Sequence, residues 1–292
     1  MIARPPRLLR PYPLPSSGAM TTERGHGDMK DIAFESHGVR IRVTSDRPEV
    51  EERIDDLLPP DARPCPIEDA AESFGLISDV NGGYTYTRGG SPVSSNVDLE
   101  FGLMLIETQI RIYLGQEAPG RIFVHAGVVA IEDRAVILPG RSLSGKTTLV
   151  SAFVRAGATY FSDEFALFDE QGLVHPYPTR LSVRGGPDER RLVDVVQLGG
   201  VSGDTPVPVG AIVVTSYRPG ADWEPRELSP GRAALALLHN TVAALTRHEE
   251  ALPVLSRATA GALLLEGERG EPEPLVDEVL TRLSSAGLPS GA

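Results

Sequence analysis

The segment Gly140 to Thr147 constrains the fold of this chain more than any other part of the sequence. It reads G-R-S-L-S-G-K-T, which matches the phosphate-binding pattern G-x-x-x-x-G-K-[ST], and it follows the apolar run Ala135 to Leu138. An apolar strand, a glycine-rich turn and a helix in this order place successive backbone N–H groups around an anion. The segment therefore predicts an α/β domain with a phosphate-binding loop between a strand and a helix.

The lysine of this segment is unusual in a chain whose basic residues are nearly all arginine. Lys30 and Lys146 are the two lysines among 28 basic side chains. A slim ammonium reaches between β- and γ-phosphates, whereas the planar guanidinium of arginine would collide with a tightly wrapped backbone. We predict that Lys146 binds the phosphates of ATP and that the Thr147 hydroxyl is a ligand of Mg²⁺. The other nucleotide-binding residues predicted from the motif and its flank are Gly140, Arg141, Ser142, Leu143, Ser144, Gly145 and Thr148.

Charge and cysteine content exclude several classes of partner. The net charge is −12, from 40 acidic and 28 basic side chains, and a nucleic-acid partner normally requires a basic face. No apolar run approaches the ~20 residues of a membrane span, so we predict no membrane partner. The single cysteine, Cys65, excludes an internal disulfide and favours a reducing, cytoplasmic setting.

The chain divides by pattern into an arm and two folded parts. Residues 1–30 are rich in proline and arginine without the apolar core of a signal peptide, which predicts a disordered arm. Met20 and Met29 precede the first predicted strand, and we expect the natural start to lie downstream of Met1. Residues 31–118 are predicted to form a smaller α+β subdomain, and residues 119–292 the α/β domain that carries the loop.

Local patterns predict the elements of both parts. In the first part they predict a strand at 39–43, a helix from Pro48, a hairpin over 76–87, and a buried helix over 94–114 capped by Ser95 or Asn96. In the second part they predict strands at 122–131, 134–138, 159–162, 165–169, 173–175 and 210–216, and helices from Gly145 to Gly157, 229–245, 249–256 and 273–285.

Two carboxylates, Asp163 and Glu164, follow the predicted strand 159–162 and so lie at the same sheet edge as the loop. One carboxylate can accept a proton from an attacking hydroxyl, while the other binds a metal directly or through water. Alone, such a pair is as readily a solvated strand end or a helix cap, but a neighbouring phosphate loop favours catalysis. We predict both as catalytic residues and, with Thr147, as metal ligands.

His125 lies in the strand that enters the first hairpin of the second part, where a lone histidine is usually a core residue. The run 125–129 (H-A-G-V-V), the phosphate loop, Gly157 and the acidic pair together resemble the catalytic domain of HPr kinase/phosphorylase and its HPr-kinase-like relatives. The resemblance is strong over 121–184 and continues weakly over 207–241. It implies an HPr kinase/phosphoenolpyruvate-carboxykinase-like fold, in which a mixed sheet is flanked by helices.

The resemblance also implies roles for individual residues. Asp163 corresponds to the general base, Glu164 stands where the family has a metal-associated aspartate, and His125 lies beside the transferring phosphate. The segment 182–185 only faintly resembles the family signature Glu-x-Arg-Gly. Arg184 therefore either clamps phosphate oxygens or is an ordinary strand arginine.

The sequence as a whole predicts an ATP-dependent kinase that transfers the γ-phosphoryl group to a serine-like hydroxyl. The acceptor is a peptide, a protein or a small metabolite, but not HPr, since residues 1–115 do not resemble the N-terminal domain of the bifunctional enzymes. Two alternatives stay open: a nucleotide-gated regulatory module without phosphoryl transfer, and a plain ATPase. Assembly into a homo-oligomer is also possible, as symmetric self-association is common.

Overall fold

Two mixed β-sheets follow one another along the chain, and helices pack against both. The computed structural model describes residues 24–25, 29–80, 82–140, 144–184 and 190–286. The mixed sheets with flanking helices agree with the predicted α/β class. Of the predicted arm, only residues 24–25 and 29–30 are described, and they lie in strands. The proposed division after residue 118 stays a prediction.

The first sheet contains the strand predicted at 39–43 and the hairpin predicted over 76–87. Its seven strands are β1 (Arg24–Gly25), β2 (Met29–Ser36), β3 (Val39–Ser45), β4 (Arg63–Pro64), β5 (Glu72–Ser78), β6 (Tyr84–Arg88) and β7 (Ser91–Val97). Val39, Ile41 and Val43 are buried on one face because successive side chains of a strand alternate between faces. Helix α1 (Pro48–Ile54) follows β3, and short 3₁₀ turns follow at Asp55–Leu57 and Ile67–Asp69.

The long helix α2 (Leu99–Glu117) begins later than its sequence suggested. The predicted caps were wrong: Ser95 and Asn96 belong to β7, and Asp98 accepts a hydrogen bond from the Phe101 amide at 2.8 Å. Asn96 has a φ of 58°, a left-handed conformation that cannot begin an α-helix. The apolar residues of the helix, expected to be buried on several sides, are not all buried, since Phe101 is 45% exposed and Met104 is 44% exposed. Only one stripe of α2 packs on the sheet, and its most buried apolar members are Leu103, Ile106, Ile110 and Leu114.

The second sheet contains eight strands and adds a small hairpin. The strands of this sheet are β8 (Arg121–Ile131), β9 (Arg134–Pro139), β10 (Thr159–Ser162), β11 (Phe165–Asp169), β12 (Val174–His175), β15 (Val209–Tyr217), β16 (Arg226–Glu227) and β17 (Leu263–Arg269). The separate hairpin consists of β13 (Leu181–Arg184) and β14 (Arg190–Val193). The order is β12-β11-β8-β9-β15-β17-β16, with β10 also on β8. Strands β9, β15 and β17 are parallel, so their carboxyl ends meet at one edge.

Four helices cover both faces of the second sheet. They are α3 (Lys146–Arg155), α4 (Pro230–His239), α5 (His248–Ala258) and α6 (Glu273–Ala286), with a 3₁₀ turn at Val195–Leu198. Helices α3 and α6 share one apolar cluster with the sheet, while α4 and α5 share another on the opposite face. The prediction that α4 continues to residue 245 was wrong. The chain leaves this helix at Asn240 because Thr241 and Val242 pair with β8 instead.

The two sheets share apolar contacts. The cluster between the first sheet and α2 also contains buried side chains from the second part of the chain, namely Phe123, Phe165, Leu167 and Tyr177. Phe123 packs edge-on against Phe165 with ring centroids 5.5 Å apart. The part of the second sheet that contains β8 and β11 therefore packs against the first sheet and α2.

Candidate active site

Strand β8 runs between the glycine-rich loop and the acidic pair. Its Cα register joins Ala126 to Pro139 of β9 on one side, and Val128 to Ser162 of β10 and His125 to Phe165 of β11 on the other. Residues Asp163 and Glu164 bridge β10 and β11, and the Ala126 amide donates to the Glu164 carbonyl at 3.2 Å. The pairing of β8 with both neighbours therefore brings the acidic pair close to the loop that follows β9.

Gly127 allows the helix after the loop to approach β8. A Cβ on this residue would lie 2.6 Å from Val150 Cγ2 and 3.6 Å from Lys146 Cβ. A side chain here would push the first turns of α3 away from the sheet. The glycine in the His-Ala-Gly run thus has a packing reason that is independent of any resemblance.

The described end of the loop places Lys146 at the start of α3. Gly145 has a φ of 83°, and its carbonyl accepts the Leu149 amide at 3.3 Å. Lys146 is 8% exposed, and its Nζ donates to the Gly140 carbonyl at 2.8 Å. Burial lowers the pKa of this ammonium, while the charges of Asp163 and Glu164 act to raise it. The ammonium therefore lies between the start of the loop and the two acids.

Asp163 contacts the loop motif directly. The Thr147 hydroxyl donates to Asp163 Oδ2 at 2.8 Å, whereas Asp163 Oδ1 is buried without a hydrogen-bond partner among the described residues. Burial raises the pKa of Asp163 to about 6, against the opposing effects of the Thr147 hydrogen bond and the Lys146 charge. An ionised Asp163 is therefore a stronger base than an exposed aspartate, and one of its oxygens is available.

Glu164 points to different partners. Its Oε1 lies 3.3 Å from His125 Nε2 and 3.5 Å from Arg111 Nη1. Burial raises the pKa of Glu164, but the hydrogen bond from His125 and the charge of Arg111 outweigh it and hold the pKa below its ordinary value. His125 Nδ1 lies 3.0 Å from the Gly140 carbonyl. The two ring nitrogens thus face the Gly140 carbonyl and the Glu164 carboxylate, and the ring lies between the loop and Glu164.

The structure thus brings together five residues that the sequence singled out, namely His125, Lys146, Thr147, Asp163 and Glu164. Thr148 is exposed on α3, and Ser144 lies against Gly140. Arg141, Ser142 and Leu143 lie outside the described residues, as does the side chain of Arg184 at the end of β13.

Two arginines near the site were missed. Arg111 reaches Glu164 from α2 and also pairs with Glu107 at 2.6 Å, and Arg269 donates to the Gly145 carbonyl at 3.0 Å from the end of β17. Neither has a local motif, because each reaches the site through a contact between segments distant in sequence. The sequence does contain the apolar run Leu263 to Leu265, which is typical of a buried strand and which places Arg269 near the strand's carboxyl end.

The oxygen donors near the loop suit Mg²⁺. In the part of the chain that the structure describes, no group of three His, Cys, Asp or Glu residues is arranged to hold a metal unaided. Magnesium commonly uses one or two carboxylates and completes its shell with water and substrate phosphates. The orphaned Oδ1 of Asp163 beside the Thr147 hydroxyl fits that requirement. Glu164, which is held by His125 and Arg111, fits a ligand acting through water better than a direct one.

This chain resembles known proteins at the level of solved structures. No family model matches the sequence, and no curated protein matches it. Among solved structures, the HPr(Ser) kinase/phosphatase from Coxiella burnetii is similar with a TM-score of 0.31 and 15% identity, over 56% of this chain and 96% of that chain. Among the described residues, no helix has the length and apolar character needed to cross a membrane.

Proposed function

We propose that this protein is an ATP-dependent kinase that transfers the γ-phosphoryl group to a hydroxyl, on an HPr-kinase-like phosphate-loop core. The observation that carries the proposal is the contact between Asp163 and Thr147 beside Lys146. A buried carboxylate with a raised pKa, whose Oδ1 has no side-chain hydrogen bond among the described residues, faces the hydroxyl and ammonium of a phosphate-binding motif. Perturbed carboxylates in such surroundings are typical of catalytic sites.

ATP would bind with its phosphates at the loop and at the N-terminus of α3. The backbone N–H groups there favour anions, and Lys146 reaches the β- and γ-phosphates. In the structure described here, Lys146 Nζ donates to the Gly140 carbonyl, and the Thr147 hydroxyl donates to Asp163. Binding therefore exchanges these internal hydrogen bonds for contacts to phosphate oxygens and metal. The affinity for ATP is a difference between two sets of interactions.

The transfer itself is a substitution at phosphorus. The acceptor oxygen forms a bond to the γ-phosphorus while the bond between that phosphorus and the β,γ-bridging oxygen breaks, and ADP leaves. Asp163 takes the proton of the acceptor hydroxyl. Its pKa of about 6 leaves it mostly ionised at neutral pH yet more basic than an exposed aspartate. Lys146 stabilises the charge that develops on the phosphates, and His125 fixes the orientation of Glu164.

Magnesium would be held directly by the Thr147 hydroxyl, with Asp163 and Glu164 acting through water, so that Asp163 keeps an oxygen for the acceptor proton. When bound, Mg²⁺ neutralises charge on the β- and γ-phosphate oxygens. The acceptor is proposed to carry a serine-like hydroxyl, in a peptide, a protein or a small metabolite of the cytoplasm. Arg111 links the site to α2, so the acceptor would also approach the first sheet.

The proposal is tested by incubating the purified protein with Mg²⁺, γ-labelled ATP and cell extract as the source of acceptors. We expect label to enter an acceptor with the natural protein. Asp163→Asn should retain ATP binding and lose transfer by about 10²- to 10⁴-fold, because the base is removed. Lys146→Ala should weaken both binding and transfer. Glu170→Gln, an exposed carboxylate after β11, is the matched control and should behave like the natural protein.

Each alternative predicts a different result. Transfer by Asp163→Asn at the natural rate would contradict the assignment of the base. Phosphate released at a rate that no acceptor changes would indicate an ATPase. ATP that stays bound without turnover would indicate a regulatory module.

A further inference from the structure

Arg269 carries a buried positive charge that the proposed chemistry does not use. The side chain is 2% exposed, and among the described residues no carboxylate forms an ion pair with it. Burial lowers the pKa of its guanidinium, while Tyr217 and Glu271 act in the opposite direction. Removing a positive charge from water without an opposite charge beside it lowers the stability of a fold. Its position therefore calls for a functional explanation.

The guanidinium is fixed by contacts on several sides. Nη2 donates to the Gly145 carbonyl and Nη1 to the Gly270 carbonyl, both at 3.0 Å, while the buried Nε has no hydrogen-bond partner among the described residues. The Tyr217 ring lies 5.5 Å from the guanidinium carbon. Tyr217 and Arg269 are register partners at the ends of β15 and β17, so the pair lies at the sheet edge that carries the loop.

The contact with Gly145 orients an amide of the loop. In a planar trans peptide, the carbonyl and the next N–H point in opposite directions. The Gly145 carbonyl accepts from Arg269 Nη2 as well as from the Leu149 amide, so Arg269 and the first turn of α3 together direct the Lys146 N–H away from β17. Gly145 is needed for this approach, since a Cβ there would collide with Arg269 Nη2, and its φ of 83° also favours glycine.

We propose that Arg269 is a positioning residue of the polyphosphate site. It fixes the peptide between Gly145 and Lys146 so that the Lys146 N–H donates to a bound phosphate, and it places a second positive charge behind the loop. The proposal rests on the proposed function to the extent that the loop binds a nucleoside triphosphate, but it does not require phosphoryl transfer. It predicts that loss of Arg269 weakens the binding of ATP more than the binding of AMP. The reason is that each additional phosphate adds negative charge to the ligand and contacts with the loop.

The test measures the dissociation constants of ATP and AMP, with Mg²⁺, for Arg269→Gln, Arg269→Lys and the natural protein. Loss of a charged hydrogen-bonding group should weaken ATP about tenfold to a hundredfold in Arg269→Gln and reduce the ratio of ATP to AMP affinity. Arg269→Lys keeps the charge but cannot donate to both carbonyls in the guanidinium geometry. Its ratio of ATP to AMP affinity should therefore lie between the ratios of the natural protein and of Arg269→Gln. Arg218→Gln is the control, since Arg218 is an exposed arginine just after the same sheet edge and pairs only with Glu268 at 2.8 Å.

Every outcome is decisive. An affinity ratio in Arg269→Gln equal to that of the natural protein overturns the proposal, as does an equal weakening of ATP and AMP, which a merely structural role would give. Should Arg269→Gln fail to fold, the ratio in Arg269→Lys decides in the same way. If the natural protein binds ATP without transferring phosphate, the proposed kinase activity is contradicted but the role of Arg269 is not. If the natural protein does not bind ATP, both the kinase proposal and the role of Arg269 are contradicted.

Discussion

Adjacent acids in this chain have opposite electrostatic surroundings. Asp163 is buried beside one hydroxyl and one partly desolvated ammonium, so burial dominates and its pKa rises to about 6. Glu164 is also buried, but His125 and Arg111 favour its ionised form and its pKa falls. One acid is thus suited to exchange a proton near neutral pH, and the other to remain charged.

The first prediction concerns stability as a function of pH. A carboxyl group whose pKa is raised by folding binds more protons in the folded than in the unfolded state, so its ionisation destabilises the fold as pH rises from about 4 to about 6. Asp163→Asn should remove this effect and increase the free energy of unfolding at pH 7 by up to about 3 kcal/mol. Urea denaturation of both proteins at pH 4.5 and pH 7 measures the difference in the free energy of unfolding, which should be larger at pH 7.

Glu164→Gln is the matched comparison and has the opposite sign. Its lowered pKa means that the ionised form stabilises the fold above the unfolded pKa, and that this stabilisation is lost as pH falls through the folded value. The glutamine variant should therefore be less stable than the natural protein at pH 7. A shift of both variants in the same direction would contradict the environments described for the two acids.

At the scale of elements, the strands and helix around the loop follow from local signals. The hairpin of β8 and β9 turns at Glu132 and Asp133, both with positive φ, and α3 ends before Gly157 with a φ of 97°. Such signals are readable because a few adjacent residues determine them. The same reasoning failed for the start of α2, where Ser95, Asn96 and Asp98 are all capable caps. The pairing of β7 with β6 decides between them, and that pairing involves residues beyond the cap itself.

Contacts between distant segments explain what the sequence did not reveal of the site. Lys146, Thr147 and the acidic pair were predictable because strand ends at one sheet edge meet. Arg111 and Arg269 were not, since their roles depend on how α2 and β17 lie against the second sheet. The local sequence around an arginine in a helix or after an apolar run does not indicate which residue it contacts, and this chain has 28 basic side chains to choose among.

The second prediction concerns the packing of α3 on β8. Gly127→Ala should destabilise the protein by about 1–3 kcal/mol and weaken ATP binding, because its Cβ would lie 2.6 Å from Val150 Cγ2 and displace the helix that carries Lys146. Thermal unfolding and nucleotide titration measure the two effects. Gly231→Ala in α4, where a Cβ meets nothing within 4 Å, is the control and should be neutral or slightly stabilising. Equal behaviour of the two variants would argue against the packing role of Gly127.

At the scale of the whole molecule, the two sheets depend on each other. Phe123, Phe165 and Tyr177 of the second part lie in the apolar cluster of the first. Arg111 of α2 contacts Glu164, which adds a polar link at the candidate active site. Loss of the first sheet together with α2 would expose these aromatic rings and remove the Arg111 cation from Glu164.

The third prediction follows from this shared core: the chain should unfold in one cooperative transition. Trp223, the sole tryptophan, packs against the cluster formed by α3, α6 and the second sheet, so its fluorescence reports on that part. Far-ultraviolet circular dichroism reports on both sheets. The urea midpoints from the two signals should coincide. An earlier loss of dichroism with unchanged fluorescence would show that the first sheet unfolds independently.

Asp163 and Glu164 form the whole connection between β10 and β11, so the number of residues in this connection determines which partner each acid contacts. Both acids lie in a bend in which the Ser162 hydroxyl accepts the Glu164 and Phe165 amides, and this bend directs Asp163 to Thr147 and Glu164 to His125. Inserting one residue before the pair would keep both acids yet move each of them away from the partner that the bend gives it. The division of labour here is thus encoded in spacing as well as in residue type.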